Sequence, residues 1–281
     1  MDFFPDNKRI MKIKPFWRLF LCVSLQGMTA CGNGAYVEKS IEVSQFHSLE
    51  LENLFVGTFE QSDQYSVTIE VPENACEFLE TKVKDGQVSV VLNTERMNPG
   101  DYRHLEFYRP KVRIKAPTFQ KVELKNACQL TFVGDFETSQ AELEVRGASD
   151  VKVGKLTADY LELDLSGASH MELSRMKVGR LKMDLSGASA LNSNSAEVEE
   201  AKLDLTGASS LKWIGFVKAG LLDASGASSV DWTPLYDKKG ERLIVDVSGV
   251  SKIKADHVRY NEVSVETSGL SSVRINGQTY E

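Results

Sequence analysis

Apolar and polar residues alternate along most of the chain beyond residue 41, and from about residue 119 the alternation itself repeats. The unit is clearest in LELDLSGASHMEL, LKMDLSGASALN and AKLDLTGASSLKW. Its glycines are Gly147, Gly167, Gly187, Gly207, Gly226, Gly249 and Gly269, and Asn126 takes the same place in an earlier, degenerate copy. The spacings are 21, 20, 20, 20, 19, 23 and 20, giving eight copies of about 20 residues. Four and two places before the glycine the residues are mostly apolar, as in Leu163/Leu165, Met183/Leu185 and Val245/Val247. Four and six places after it they are again mostly apolar, as in Val151/Val153, Met171/Leu173 and Leu211/Trp213. A weaker third pair, such as Met176/Val178, follows. A period of two is that of a strand with one buried face, so each copy predicts one coil of two or three short strands.

A 20-residue unit cannot cover its own apolar face, whereas stacking gives every strand a parallel neighbour and the array one continuous interior. Hairpins would also alternate, but every copy here runs in the same direction with the same spacing, which favours parallel coiling. The exception in the glycine column is asparagine, the residue that after glycine best tolerates φ > 0. The column therefore predicts a left-handed corner repeated in each coil, with small Ser and Ala neighbours that let corners stack and exchange hydroxyl hydrogen bonds. Cys128 occupies the second Ser place in the first copy.

Before the repeat, residues 41–118 read as a β-rich N-terminal cap. Ser66 to Val71 alternates like a strand and Asp85-Gly86 marks a turn before Gln87 to Leu92. Lys111 to Ala116 alternates again and stops at Pro117, and Glu77 to Lys82 has room for a short helix. Such a segment would cover the first coil, whose open strand edge otherwise invites aggregation. Residues 31–40 are a linker.

The first thirty residues form an address. Lys8, Arg9, Lys12, Lys14 and Arg18 precede the short apolar stretch Leu19 to Leu25, and Gly27-Met28-Thr29-Ala30-Cys31 closes the segment. That layout is a signal peptide of the lipoprotein type, with Cys31 as the lipidated residue and Met1 or Met11 as the start. The alternative is an ordinary cleaved signal with an incidental cysteine. The stretch falls short of the roughly 20 apolar residues that cross a bilayer. The expected location is thus the cell envelope, with a lipid anchor in the outer membrane and the membrane itself as a partner. Two cysteines remain, Cys76 and Cys128, which either pair or stay as buried thiols.

Charge narrows the partners. The whole chain carries −7, and because its first thirty residues are basic the remainder is more acidic still. With no basic stripe, nucleic acid is excluded as a partner. The acids have a pattern: Glu123, Glu144, Asp164, Asp184, Asp204, Asp223, Asp246 and Glu266 each lie three places before the corner residue. Stacked, they form a ladder. It reads as a solvated strand face; calcium binding and acid catalysis are the competing readings. Trp213 and Trp232 share an apolar column and predict a stacked pair in the interior, His170 stands in a variable column and reads as exposed, and Pro234 to Gly240 is a longer loop. No metal-ligand, phosphate-loop or nucleophile constellation appears, so no cofactor is expected.

Several segments also carry a resemblance. The order Phe46-x-x-Leu49-x-Leu51, Gly57-x-Phe59-x-Gln61, Tyr65 to Ile69 and Thr81 to Gly86, followed by Ser-Gly-Ala-Ser coils, is similar to the bacterial "head GIN" domain family of "putative auto-transporter adhesins". The resemblance spans roughly residues 40–275. It implies an all-β fold, a right-handed parallel β-helix (solenoid) on an exported protein that is often lipid-anchored, and it brings no ligand-binding residues with it. The function expected is a non-catalytic envelope lipoprotein, an adhesin or structural module whose partner is a glycan or a surface protein. The alternative is a polysaccharide-cleaving β-helix.

Overall fold

The computed structural model describes residues 35–235 and 237–281. The expected export signal and Cys31 lie outside these residues. The fold is that of the unit Gly32–Glu281.

The elements are β1 (Tyr36–Ile41), β2 (Ser48–Glu52), β3 (Val56–Gln61), β4 (Ser66–Pro72), β5 (Leu79–Lys84), β6 (Gln87–Leu92), α1 (Pro99–Phe107), β7 (Lys111–Ala116), β8 (Lys121–Lys125) and β9 (Gln129–Val145). They continue as β10 (Asp150–Leu165), β11 (His170–Leu185), β12 (Ala190–Leu205), β13 (Ser210–Ala224), β14 (Ser229–Thr233), β15 (Lys239–Val247), β16 (Lys252–Ala255), β17 (Arg259–Thr267), β18 (Ser272–Ile275) and β19 (Gln278–Tyr280). From β8 to β18 every pairing between coils is parallel and in the register that the repeat predicts: Leu163 lies beside Met183, Met183 beside Leu203, and Asp164 beside Asp184. The fold is an all-β parallel solenoid of about eight turns.

Each long strand bends around the coil. In β10 the buried residues are Val151 and Val153, then Leu156 and Ala158, then Leu161, Leu163 and Leu165. Alternation lapses between these groups, where two successive side chains point outward, so the coil has three sides. The weak third pair of the sequence is the middle side, with Met176 and Val178 both buried.

The third break is the corner. All seven repeat glycines have φ between +71° and +79°, and Asn126 has +67°. Successive corners nearly touch: a Cβ on Gly187 would lie 2.6 Å from the carbonyl oxygen of Gly167, and on Gly167 2.5 Å from that of Gly147. Real Cβ atoms do not sit so close to backbone. That proximity lets Ala188 N–H donate to Gly167 O at 2.7 Å, and Ala208 N–H to Gly187 O at 2.7 Å. Behind the corner Ser149, Ser169, Ser189, Ser209, Ser228, Ser251 and Ser271 are all buried. Their hydroxyls mainly close their own corner, as Ser169 Oγ does on Ser166 O at 2.7 Å. In this column only Ser209 and Ser228 link hydroxyl to hydroxyl between coils, at 3.2 Å. Cys128 does the same work, its thiol reaching Lys125 O at 3.3 Å.

Residues 41–118 divide differently from the expected cap. β2 and β3 are themselves a coil: β2 pairs parallel with β8 and β3 with β9. Their corner is Asn53-Leu54, both at positive φ. On the other side of that coil, β6 pairs parallel with β2 and β7 with β3. The coils here are thus stacked out of chain order, the layer of residues 48–61 lying between layers formed by later residues. Capping falls to three antiparallel strands, with β5 on β6, β4 on β7 and β1 on β4. The helix expected over Glu77–Lys82 is a 3-10 turn at Glu73–Phe78 followed by strand β5. Pro72 opens the turn, and pairing with β6 holds residues 79–84 extended.

Aromatic groups fill the interior near both ends. Phe59, Phe119, Phe132 and Phe136 pack together in the first coils, with Phe119 and Phe136 stacked at 4.5 Å. Near the other end Trp213 and Trp232 are buried in one column as expected, but they meet edge to face at 6.4 Å instead of stacking. The loop that includes Pro234 separates β14 from β15, and residues 215–218 of β13 have no strand on that side. Two side chains replace it: Trp232 Nε1–H donates to Gly215 O at 3.1 Å, and Tyr260 Oη–H to Val217 O at 2.7 Å. A buried carbonyl left unpaired costs about 1–3 kcal/mol, which is why a long loop is tolerated here.

Three substitutions test this architecture. Gly187→Ala should lower stability by more than about 2 kcal/mol, because left-handed strain of roughly 1–2 kcal/mol adds to the clash with Gly167. Gly134→Ala should cost only the strain, since Gly134 has φ +82° but nothing within 4 Å of its would-be Cβ; equal losses of melting temperature would contradict the stacked corner. Tyr260→Phe should cost about 1–2 kcal/mol in chemical denaturation despite preserving the ring.

Candidate functional site: the acidic ladder and its groove

The ladder exists and runs unbroken. Strand register places Glu123 beside Glu144, Glu144 beside Asp164, and then Asp184, Asp204, Asp223, Asp246 and Glu266 each beside the next. It starts one coil earlier than the repeat suggests, because Glu50 of β2 pairs with Glu123. Aligning the Asn53 corner with the glycines would have found Glu50, but that corner lacks a glycine.

Its two halves differ in electrostatics. At the N-terminal end the acids are sheltered within a lattice of cations from the neighbouring columns. Lys125 bridges Glu50 at 2.6 Å and Glu123 at 3.2 Å, Arg146 reaches Glu144 at 2.8 Å, and Lys121 bonds Glu142 and Glu144. Burial pushes the Glu50 carboxyl upward, yet the Lys125 and Ser89 hydrogen bonds outweigh it and hold the group below the usual carboxylate range. These members are not the solvated face expected of them, since the Glu144 residue is only 9% exposed. In the middle, Lys182 contacts Asp184 at 3.3 Å and Lys202 contacts Asp204 at 2.7 Å. Beyond them Asp223, Asp246 and Glu266 are exposed and make no ion pair among the described residues. The flanking column that supplied lysine now supplies Leu221 and Ile244.

Partial desolvation and neighbouring like charges move ionisation along the ladder. The Asp223 carboxyl lies above the ordinary aspartate value, first through burial and then through the neighbouring Asp246 and Asp204. Asp164 is raised by burial too, with Glu144 and Asp184 adding and Arg146 opposing. Metal binding needs six to eight converging oxygens for calcium. The ladder instead supplies one carboxylate per coil in a line, and among the described residues no group of three acids, histidines or cysteines could hold a metal.

Beside the ladder a shallow groove of about 440 Å³ crosses several coils. It opens where the inward column shrinks to Ala201 and Gly220, and it is edged by Arg180, Lys182, Lys202 and Arg242. Arg180 lies over the Tyr160 ring at 5.9 Å. His170 is half-buried, 3.5 Å from Glu172, and stands apart from any nucleophile or acid pair. Cys76 and Cys128 are both free thiols, and burial pushes Cys128 up to about 12, which suits a packing role and not a nucleophile.

With this geometry the kinship can be read. Residues 45–233 match the family described as "Putative auto-transporter adhesin, head GIN domain". The chain belongs to that family. Solved structures share its fold. One from Parabacteroides distasonis, described as a "putative lipid binding protein", superposes with a TM-score of 0.70 at 14% identity, covering 87% of this chain and 97% of its own. A "putative adhesin" from Parabacteroides merdae gives 0.65 at 17%, covering 86% and 97%, and one from Bacteroides fragilis gives 0.59 at 15%, covering 84% and 97%. A search of curated proteins finds no match to the sequence. The family member thus shares its fold with proteins only 14–17% identical in sequence.

The raised Asp223 yields a pH test. A carboxyl whose folded-state pKa exceeds its unfolded value destabilises the native state once ionised. The penalty is complete above the folded pKa and vanishes as pH falls below the unfolded value. Asp223→Asn should therefore raise the melting temperature of the head GIN fold at pH 7, by a small amount because solvent screens an exposed carboxylate, and the gain should disappear at pH 3. Glu162→Gln should do the reverse at pH 7, because hydrogen bonds from Lys182 and Tyr160 hold Glu162 low.

Proposed function

We propose that this family member is an exported lipoprotein, acylated at Cys31 and held in the outer membrane, whose solenoid is a non-catalytic binding surface for an extended partner, a glycan or a surface protein. The observation that carries the reading is the regularity of the long face. Successive coils present the same columns of polar groups and one groove, a geometry that repeats at the spacing of the coils and matches a linear partner better than a compact substrate. Catalysis asks for a unique set of groups with matched ionisation in a pocket, and most of the perturbed acids here repeat two neighbouring columns of the same strands. The family's adhesin description and the fold shared with the adhesins of Parabacteroides and Bacteroides support a place at the cell envelope. Among the described residues no helix is long and apolar enough to cross a membrane; in this reading the acyl group on Cys31 is the membrane link.

Two measurements test this. Metabolic labelling with a fatty-acid probe should mark the wild type and not Cys31→Ser; equal labelling would remove the anchor. The purified protein, incubated with a panel of polysaccharides with and without calcium, should retain one or more of them and release no reducing ends. Release abolished by replacing the acid of a single coil would make it a polysaccharide-cleaving enzyme instead.

A further inference from the structure

Among the described residues, every large aromatic side chain that is more than a third exposed lies at one end of the solenoid: Tyr36 (36%), Tyr102 (39%), Phe107 (78%) and Tyr108 (41%). The other exposed large hydrophobics, among them Val83, Val250 and Leu270, are aliphatic and scattered. Tyr36 begins β1, the outermost of the antiparallel capping strands, and the other three come from α1 and the residue after it. They converge. Tyr36 Oη–H donates to Arg109 O at 3.3 Å, Lys111 Nζ sits 5.2 Å above the Tyr36 ring, and the His104 ring stacks on Tyr108 at 4.5 Å. Among the described residues little covers Phe107. Two acids near this edge are paired, Glu70 with Lys111 at 3.7 Å and Glu38 with Arg113 at 2.9 Å, and Asp101 and Glu106 of α1 are matched in number by Arg103 and Arg109. The edge therefore carries no excess of acids like that of the ladder's far half.

We propose that the edge formed by Tyr36, Phe107 and Tyr108 is a membrane-contact surface that seats the capped end of the solenoid in the headgroup region of a bilayer. The inference rests on the acylation of Cys31. Only five peptide units separate Cys31 from Tyr36, a reach of at most roughly 18 Å even when fully extended, so an anchored chain holds this edge beside the headgroups. Tyrosine and other amphipathic aromatic side chains partition to that interface, with the ring in apolar surroundings and the hydroxyl wet. Seating would turn a flexible tether into a fixed orientation, with the coils rising from the membrane.

The test uses the full acylated protein in phosphatidylcholine vesicles, with acylation of Cys31 verified by mass spectrometry. Cys76 is replaced by Ser, and an environment-sensitive dye is attached in one sample through Phe107→Cys and in another through Leu270→Cys. Both positions are strongly exposed, so neither change threatens the fold. On vesicles the dye at 107 should lose most of its iodide quenching and shift to the blue, while the dye at 270 keeps both at their values in solution. An acylated, vesicle-bound protein whose dye at 107 stays fully quenched overturns the seat and leaves the lipoprotein intact. Shielding of position 107 without vesicles would assign the edge to another copy of the chain, again overturning it. Absence of the acyl group would remove the lipoprotein reading and the seat together.

Discussion

The contact on which the solenoid depends is the meeting of one corner backbone with the next. At each corner a residue with φ > 0 turns the chain, and its carbonyl accepts a hydrogen bond from the amide following the corner in the next coil. At the seven glycine corners both requirements work against a Cβ, the first by local sterics and the second by the preceding corner's backbone lying within 3 Å. Because every corner sits directly on its neighbour, the register of all three sides is set there. A slip of one residue would turn the inward leucines and valines outward. The acids, the groove and the aromatic interiors are consequences of that alignment.

Much of this was legible in the sequence because the corner demands unusual chemistry. Glycine or asparagine every 20 residues, flanked by small residues, has few explanations other than a stacked left-handed turn, and the inward columns follow from counting. Legibility ended where the fold used different means for the same result. The coil at residues 48–61 turns at Asn53-Leu54, and leucine is seldom chosen for φ > 0, so neither that coil nor Glu50 could be aligned with the repeat. Its partners in the stack come from residues some 40 to 70 places later, a long-range order that no local pattern records. The hydrogen bonds from Trp232 and Tyr260 were hidden for another reason: apolar periodicity shows that a ring is inside, and says nothing of which carbonyl its polar atom meets.

The candidate site was legible in outline and not in character. Counting from the glycine located eight acids correctly, but a single column says nothing of its neighbours. Lys121, Lys125 and Arg146 turn one half of the ladder into a compensated lattice, whereas Leu221 and Ile244 in the adjacent column leave the other half bare. One repeated residue type thus yields two electrostatic surfaces, separated by substitution two places away along the strand.

The direction of the ladder hydrogen bonds has a mechanical meaning. In a parallel solenoid they run from coil to coil, slanted but close to the stacking axis. If one end is fixed and the other grips a partner, tension between them is borne by successive coil interfaces in series, and each interface carries the full load. Such a stack yields at its weakest interface and then coil by coil. The loop between β14 and β15 marks a natural breaking point, because on that side indole and phenol groups stand in for a strand. Extension under pull would thus start far from the capped end, paying out chain while the first coils stay folded.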